Sequence, residues 1–128
     1  MTSEKRKVLV VDDNTALARV VQFNLTKAGY DVTIAKNGRI ACDLANAQQF
    51  DLVITDHQMP ETTGIELCQK LRSLPAYEHV PIILLTAKGL ELDLPRLRDE
   101  LGIAGTFAKP FSPTQIVQAV DDLLTPVA

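Results

Sequence analysis

Five side chains in this sequence carry the chemistry: Asp12, Asp13, Asp56, Thr86 and Lys109. Each falls at the carboxyl end of a segment that reads as a β-strand. In an open parallel α/β sheet, ligands gather outside those strand ends, so the five should converge on one spot. Three acids, a hydroxyl and an ammonium form a set suited to phosphoryl transfer, without any phosphate-binding glycine loop. A carboxylate can attack a phosphoryl group only if the negative charge gathered there is offset by a divalent cation and a fixed positive side chain. Asp12, Asp13 and Asp56 offer the hard oxygen ligands that suit Mg²⁺, Lys109 offers the ammonium, and Thr86 offers a hydroxyl to a phosphate oxygen. Ala87, next to it, is small enough to leave the approach open. Asp56 is the expected nucleophile, forming an acyl phosphate. Singly, each residue has an ordinary reading as a turn residue, helix cap or solvated lysine. Two adjacent carboxylates at a central strand end are harder to dismiss, because they repel unless solvated or metal-bound. The conjunction of all five carries the argument.

The elements that must position them alternate five times between strand-type runs rich in Val, Ile and Leu and segments of helical period, the pattern of βαβ units. The expected fold class is α/β: a flavodoxin-like doubly wound parallel sheet of five strands, order 2-1-3-4-5, flanked by five helices. Val8–Val11, Asp51–Thr55 with Asp56 closing it, and Ile82–Leu85 read as central strands buried on both faces. The weaker runs Val32–Ala35 and Thr106–Ala108 are expected at the edges. Asn14 caps a first helix whose inward stripe is Leu17, Val21 and Leu25, with Gly29 stopping it. Helices follow over residues 38–48, 64–74 and 92–101, the last with a start blurred by Pro95, Leu90 and Leu92. Ser112 caps the fifth, with Pro113 at its first position, Gln115 as a capping-box partner, and Ile116, Val120 and Leu124 inward. Thr125 to Ala128 reads as a frayed end.

With 128 residues, 46% of them apolar and 23% charged, and a net charge of −3, the chain has the composition of one soluble globular domain, core about 6–124. The cluster Lys5-Arg6-Lys7 is too short to steer DNA, so no nucleic acid is expected as a partner. No apolar run approaches the roughly 18 residues of a membrane span and no signal segment opens the chain; a cytoplasmic location is expected. Cys42 and Cys68 lack metal-ligand spacing and read as small core or boundary residues.

The motifs Val8-Leu9-Val10-Val11-Asp12-Asp13, Asp51-Leu52-Val53-Ile54-Thr55-Asp56 followed by Met59-Pro60 and Gly64, Leu84-Leu85-Thr86-Ala87, and Lys109-Pro110-Phe111 closely resemble the receiver domain of two-component response regulators, over essentially the whole chain. The resemblance implies that Asp56 accepts a phosphoryl group from a phosphohistidine of a histidine kinase or histidine phosphotransfer protein. It implies that Asp13, Asp56 and the Gln58 backbone carbonyl ligate Mg²⁺, with Mn²⁺ as a substitute and Asp12 acting through water. Lys109 would pair with the carboxylate and then the phosphate, and the Lys109–Pro110 bond would be cis, a state of only about 5–6% of X–Pro bonds. Thr86 and Phe107 would form the switch that reshapes the surface of the fourth helix, fifth strand and fifth helix for a downstream target whose identity the sequence does not give. Gln58 and Lys88 should flank the path of the hydrolytic water. The protein would then be a regulatory phosphoacceptor with only slow self-catalysed phosphorylation and dephosphorylation, monomeric by default or a weak dimer.

Other residues have readings of their own. Ala16, Val20 and Phe23 lie at i, i+4, i+7 on the first helix, off its core stripe, and either extend the apolar face or dock a helical kinase partner, with Pro110 and Phe111 as the other half of that surface. His57 should tilt away from the pocket and His79 should be a surface residue. A phosphatase of the haloacid dehalogenase type also uses an Asp nucleophile, but needs Asp-x-Asp after the first strand. A flavin module would find its phosphate repelled by Asp12 and Asp13. The remaining rival is a phosphorylation-independent interaction module on the same fold, against which the presence of all five site residues argues.

Overall fold

The computed structural model describes residues 5–87 and 93–124. Lys88, the pair Leu90 and Leu92, and the end Thr125–Ala128 lie outside the described residues. The strands are β1 (Lys7–Val11), β2 (Asp31–Ala35), β3 (Leu52–Asp56), β4 (Ile82–Ala87) and β5 (Ile103–Lys109). The helices are α1 (Thr15–Lys27), α2 (Gly38–Ala47), α3 (Gly64–Arg72), α4 (Leu94–Leu101) and α5 (Pro113–Leu124), with a 3-10 turn over Pro75–Tyr77. All four pairings are parallel and the order is β2-β1-β3-β4-β5, with β2 and β5 at the edges as expected.

The central strands are apolar throughout because successive side chains feed opposite layers. Leu9, Val11, Val53, Ile82 and Leu84 pack into one core with Ala41, Ala45, Leu67, Cys68 and Leu71 from α2 and α3. Val8, Val10, Leu52, Ile54, Ile83 and Leu85 pack into a second with Ala18, Val21 and Leu25 of α1 and Ile116 and Val120 of α5. Cys68 is buried and Cys42 half-buried, as boundary and core residues should be.

Several boundaries move from their sequence readings. Asp51 precedes β3 rather than opening it, because its carboxylate accepts the Lys7 backbone N–H at 2.7 Å. β5 runs to seven residues where the sequence suggested three, since Ile103 and Gly105 pair with β4 on either side of a bulge at Ala104, and Ala104 and Gly105 carry no strand propensity. On α1 the buried stripe is Ala18, Val21 and Leu25, with Leu17 only half-buried. α3 ends at Arg72 instead of running to residue 74, and Leu124 is half-buried against the second core rather than enclosed. A capping box closes the start of α3: Thr63 Oγ1 accepts the Glu66 N–H while the Glu66 carboxylate accepts the Thr63 N–H.

α4 has no fully buried residue. Its carboxyl end is instead tied down by Arg72, whose Nε donates to the Leu101 carbonyl at 2.7 Å and whose Nη2 donates to that of Gly102 at 3.2 Å. Nη1 of the same guanidinium donates to the carbonyls of Tyr77 and Val80, each at 2.7 Å. Gly102 takes the left-handed conformation, φ 64°, that ends the helix. Arg72→Met, which fills similar volume but strands four carbonyls, should cost about 2–4 kcal/mol in urea unfolding; a loss below about 1 kcal/mol would show that water replaces the guanidinium.

Candidate functional site

Parallel register gathers the strand ends. Val11 pairs with Thr55 and Asp56 with Leu85, while Leu85 pairs with Phe107, Thr86 with Ala108 and Ala87 with Lys109. Asp12 and Asp13 therefore follow β1 beside the last residue of β3, and Thr86 and Lys109 arrive from the next two strands. Asp12 and Asp56 are almost fully enclosed, at 1% and 3% exposure, while Asp13 faces solvent. Thr86 is buried at 8%.

Lys109 enters between the two buried acids. Its ammonium lies 3.2 Å from Asp56 Oδ1 and 3.5 Å from Asp12 Oδ2. Asp12 Oδ1 accepts the Asn14 backbone N–H at 2.9 Å. Oδ2 of Asp12 is buried and makes no hydrogen bond, meeting Lys109 only at ion-pair distance. One oxygen from each of Asp12, Asp13 and Asp56 lies within 4.8 Å of the others. Three formal negative charges thus face one positive charge.

Burial raises the Asp12 carboxyl above its ordinary range and the Asp56 charge adds to this, while the Asn14 amide and Lys109 oppose it. Burial likewise raises Asp56, opposed by Lys109 and reinforced by Asp13. The donor set fits a hard divalent cation: exclusively oxygen donors, an enclosed carboxylate oxygen lacking a hydrogen bond, and an open side at Asp13 for water. Because native Asp12 and Asp56 hold their protons more tightly than the unfolded chain does, stability is greatest below the ordinary carboxylate pKa and falls as pH rises through the raised values. Metal-free protein should lose stability as pH rises from about 4, the ordinary carboxylate pKa, through the raised values, less steeply in Asp56→Asn, as followed by urea unfolding; parallel profiles for the two would refute this.

The backbone that carries Asp56 is locked to α3. The His57 N–H donates to the Leu85 carbonyl at 2.8 Å and the Gly64 N–H donates to the His57 carbonyl at 2.9 Å. A Cβ on Gly64 would stand 2.5 Å from the Asp56 carbonyl oxygen, so only glycine lets α3 start this close to the strand end. Between them Glu61 takes a left-handed conformation, φ 69°. The Lys109–Pro110 peptide is cis, as the resemblance implied.

The other sequence candidates are distributed around this centre. The Gln58 side chain is exposed, and Phe107 and Phe111 are half-buried against the second core. Pro110 and Ala16 are exposed, as are Val20 (44%) and Phe23 (65%), so the α1 stripe faces outward rather than extending the core. His57 is half-buried, with an enclosed Nδ1 that lacks a hydrogen-bond partner, and His79 is exposed. Sequence reasoning missed Thr55, fully buried immediately before Asp56, whose hydroxyl donates to the Asp56 carbonyl at 3.0 Å. The available signal was a polar residue inside a strand expected to be apolar on both faces. Among the described residues, no helix is long and apolar enough to cross a membrane.

Comparison with known proteins matches this geometry. The chain is 38% identical over 118 residues to the probable transcriptional regulator ycf29 of Porphyra purpurea and 36% identical over 119 residues to that of Pyropia yezoensis. These matches take in 91% and 92% of this chain but 56% and 53% of those proteins, so the chain spans about half the length of the curated relatives it matches. Among solved structures it is similar to the chemotaxis response regulator CheY4 of Vibrio cholerae, at 32% identity and a TM-score of 0.85, covering 94% of this chain and all of that one. It is also similar to the signal receiver domain of a signal transduction histidine kinase from Syntrophus aciditrophicus, at 30% identity and a TM-score of 0.81, covering 94% of this chain and 90% of that one. The family model of the response regulator receiver domain matches residues 8–121, and with the acid pocket and sheet order described above, the chain belongs to that family.

Proposed function

We propose that residues 1–128 form a single receiver module in which Asp56 is the phosphoacceptor of a two-component signalling switch. The observation that carries this reading is the buried Asp12–Lys109–Asp56 constellation, with an Asp12 oxygen left without a hydrogen bond beside the open edge at Asp13.

An Asp56 carboxylate oxygen attacks the phosphorus of a phosphohistidine presented by a histidine kinase or histidine phosphotransfer protein. The new bond is P–O; the P–N bond breaks, its electron pair stays on the imidazole nitrogen, and that nitrogen takes up a proton. The Lys109 ammonium, now paired with Asp56, moves its partnership to the phosphoryl oxygens and offsets the charge that arrives. Asp13, Asp56 and the Gln58 backbone carbonyl would hold the metal, with Asp12 acting through water. Mg²⁺, or Mn²⁺ in its place, would supply charge neutralisation at the phosphoryl oxygens when bound there. Thr86 donates its hydroxyl to a phosphoryl oxygen, and Phe107, paired with Leu85 in the register, repacks between β5 and the helices beside it. The surface of α4, β5 and α5 changes accordingly and is read by a downstream protein. The energetic content is a population shift, limited by how much better the phosphoryl group binds one packing than the other.

The exposed residues Ala16 and Val20 on α1, with Pro110 and Phe111 after β5, form the surface that receives the donor protein. The module acts in the cytoplasm as a monomer or weak dimer, without binding nucleic acid or membrane through this domain. Its own chemistry is confined to slow self-catalysed phosphorylation and dephosphorylation.

Intact-protein mass spectrometry after incubation with acetyl phosphate tests the reading. A gain of one phosphoryl group that requires Mg²⁺ is expected. No gain from acetyl phosphate or from a histidine phosphotransfer donor would favour the phosphorylation-independent interaction module.

A further inference from the structure

We propose that the Thr55 hydroxyl positions the Asp56 carboxylate and the metal donors beside it, acting through the Asp56–His57 peptide. This rests on the phosphoacceptor reading above and assigns part of that site's precision to a residue that touches neither metal nor phosphate.

β3 is apolar from Leu52 to Ile54, so Thr55 is a hydroxyl in a strand otherwise built for packing. Valine would fill the same space, and a buried hydroxyl is costly unless it is hydrogen-bonded. Strand alternation puts Thr55 on the same face as Val53, toward α2 and α3. There its Oγ1 donates to the carbonyl of Asp56 at 3.0 Å.

That carbonyl sits in a confined place. The approach of Gly64, whose Cβ would be 2.5 Å away, crowds it from the α3 side. The other end of the peptide is also held, since the His57 N–H donates to the Leu85 carbonyl at 2.8 Å. The same N–H favours the charged form of the Asp56 carboxylate. The next carbonyl, that of His57, accepts the Gly64 N–H. The peptide plane is therefore clamped by Thr55 at its oxygen and by β4 at its nitrogen. Releasing the oxygen end lets the plane rotate, which shifts the His57 N–H against the Asp56 carboxylate and re-aims the loop that begins with Gln58. A hydrogen bond behind a ligating carboxylate acts in this way at metal sites, where loss of such a partner typically weakens metal binding by about 10- to 100-fold.

The test measures Mg²⁺ affinity of the full chain by isothermal titration calorimetry, together with the ¹⁵N–¹H resonance of His57 and urea stability. Thr55→Val should weaken Mg²⁺ binding by about 10-fold or more and move the His57 amide resonance, and Thr55→Ser should restore both. Tyr77→Phe supplies a control, because the Tyr77 hydroxyl also makes buried bonds, donating to the Ala45 carbonyl and accepting the Phe50 N–H, but before the amino end of β3 rather than at the carboxyl end that carries Asp56. It should lose stability without losing Mg²⁺ affinity. If Thr55→Val does not fold, Thr55→Cys, a weaker donor of similar size, should show an intermediate affinity. Native affinity and an unmoved His57 resonance in Thr55→Val, or native affinity in Thr55→Cys, would overturn the positioning role alone. Native protein that binds no Mg²⁺, or an Asp56→Asn variant that binds it equally well, would overturn the site reading itself and this inference with it.

Discussion

Replacing Asp56 by asparagine is expected to stabilise the metal-free protein while removing the stabilisation that Mg²⁺ confers. In the native chain two enclosed carboxylates and an exposed third face a single ammonium, and burial holds both Asp12 and Asp56 at raised pKa. Removing one partner of a buried ion pair ordinarily strands the other charge. Here it does not, because Lys109 keeps Asp12 at 3.5 Å. The variant therefore loses repulsion and desolvation while Lys109 remains paired, a gain on the order of 1 kcal/mol, or roughly 4 °C in melting temperature for a domain of this size. Mg²⁺ acts in the opposite sense. At about 100 times its dissociation constant it should stabilise the native protein by about 2.7 kcal/mol, and the variant, lacking a ligand, by far less. Thermal unfolding with and without Mg²⁺ reads both effects. A variant less stable than native protein without metal would mean that the Asp56–Lys109 pair outweighs the acid repulsion.

The second large effect is expected from adding one methyl group at Gly64. The new Cβ would stand 2.5 Å from the Asp56 carbonyl oxygen, 2.8 Å from His57 Cα and 2.9 Å from Leu84 Cδ1. A flexible side chain could yield, but two of these atoms are backbone at the end of a central strand. Relief requires α3 to move off the sheet, breaking the Gly64-to-His57 hydrogen bond and disturbing the capping box at Thr63 and Glu66. Gly64→Ala should therefore cost about 3–5 kcal/mol, although alanine is the better helix former. It should also weaken Mg²⁺ binding, since the clash falls on the peptide that carries Asp56. Urea unfolding of the metal-free variant checks the first statement; a loss under about 1 kcal/mol would show that the start of α3 is more compliant than its contacts indicate.

The acid pocket was legible because parallel strands bring their carboxyl ends into register, so that residue type at a strand end is enough to bring Asp12, Asp13, Asp56 and Lys109 together and to put Thr86 at the end of the strand between. The strand order followed from the same logic, continuous apolar runs marking the centre and weaker ones the edges. What stayed hidden depends on tertiary approach rather than on pattern. Nothing in the spacing shows that Gly64 lies against the Asp56 carbonyl or that Arg72 caps α4 from another helix. The length of β5 was hidden because the β4 register passes over Ala104 at a bulge, and Gly105 and Ala108 pair by backbone alone. The α1 stripe of Ala16, Val20 and Phe23 was ambiguous by periodicity, and its exposure resolves it toward the surface. Thr55 was visible as a polar residue in an apolar strand, but its hydrogen bond to the Asp56 carbonyl depends on the turn of the backbone at the strand end, which spacing does not show.

The central claim is that Asp56, and neither of the neighbouring acids, takes the phosphoryl group. Borohydride reduction after treatment with acetyl phosphate and Mg²⁺, followed by peptide mass spectrometry, converts the phosphorylated aspartate to homoserine and so marks its position. Homoserine at residue 56, formed only when Mg²⁺ is present, is the expected result. Homoserine at residue 12 or 13, or labelling at 56 that is indifferent to Mg²⁺, would contradict it.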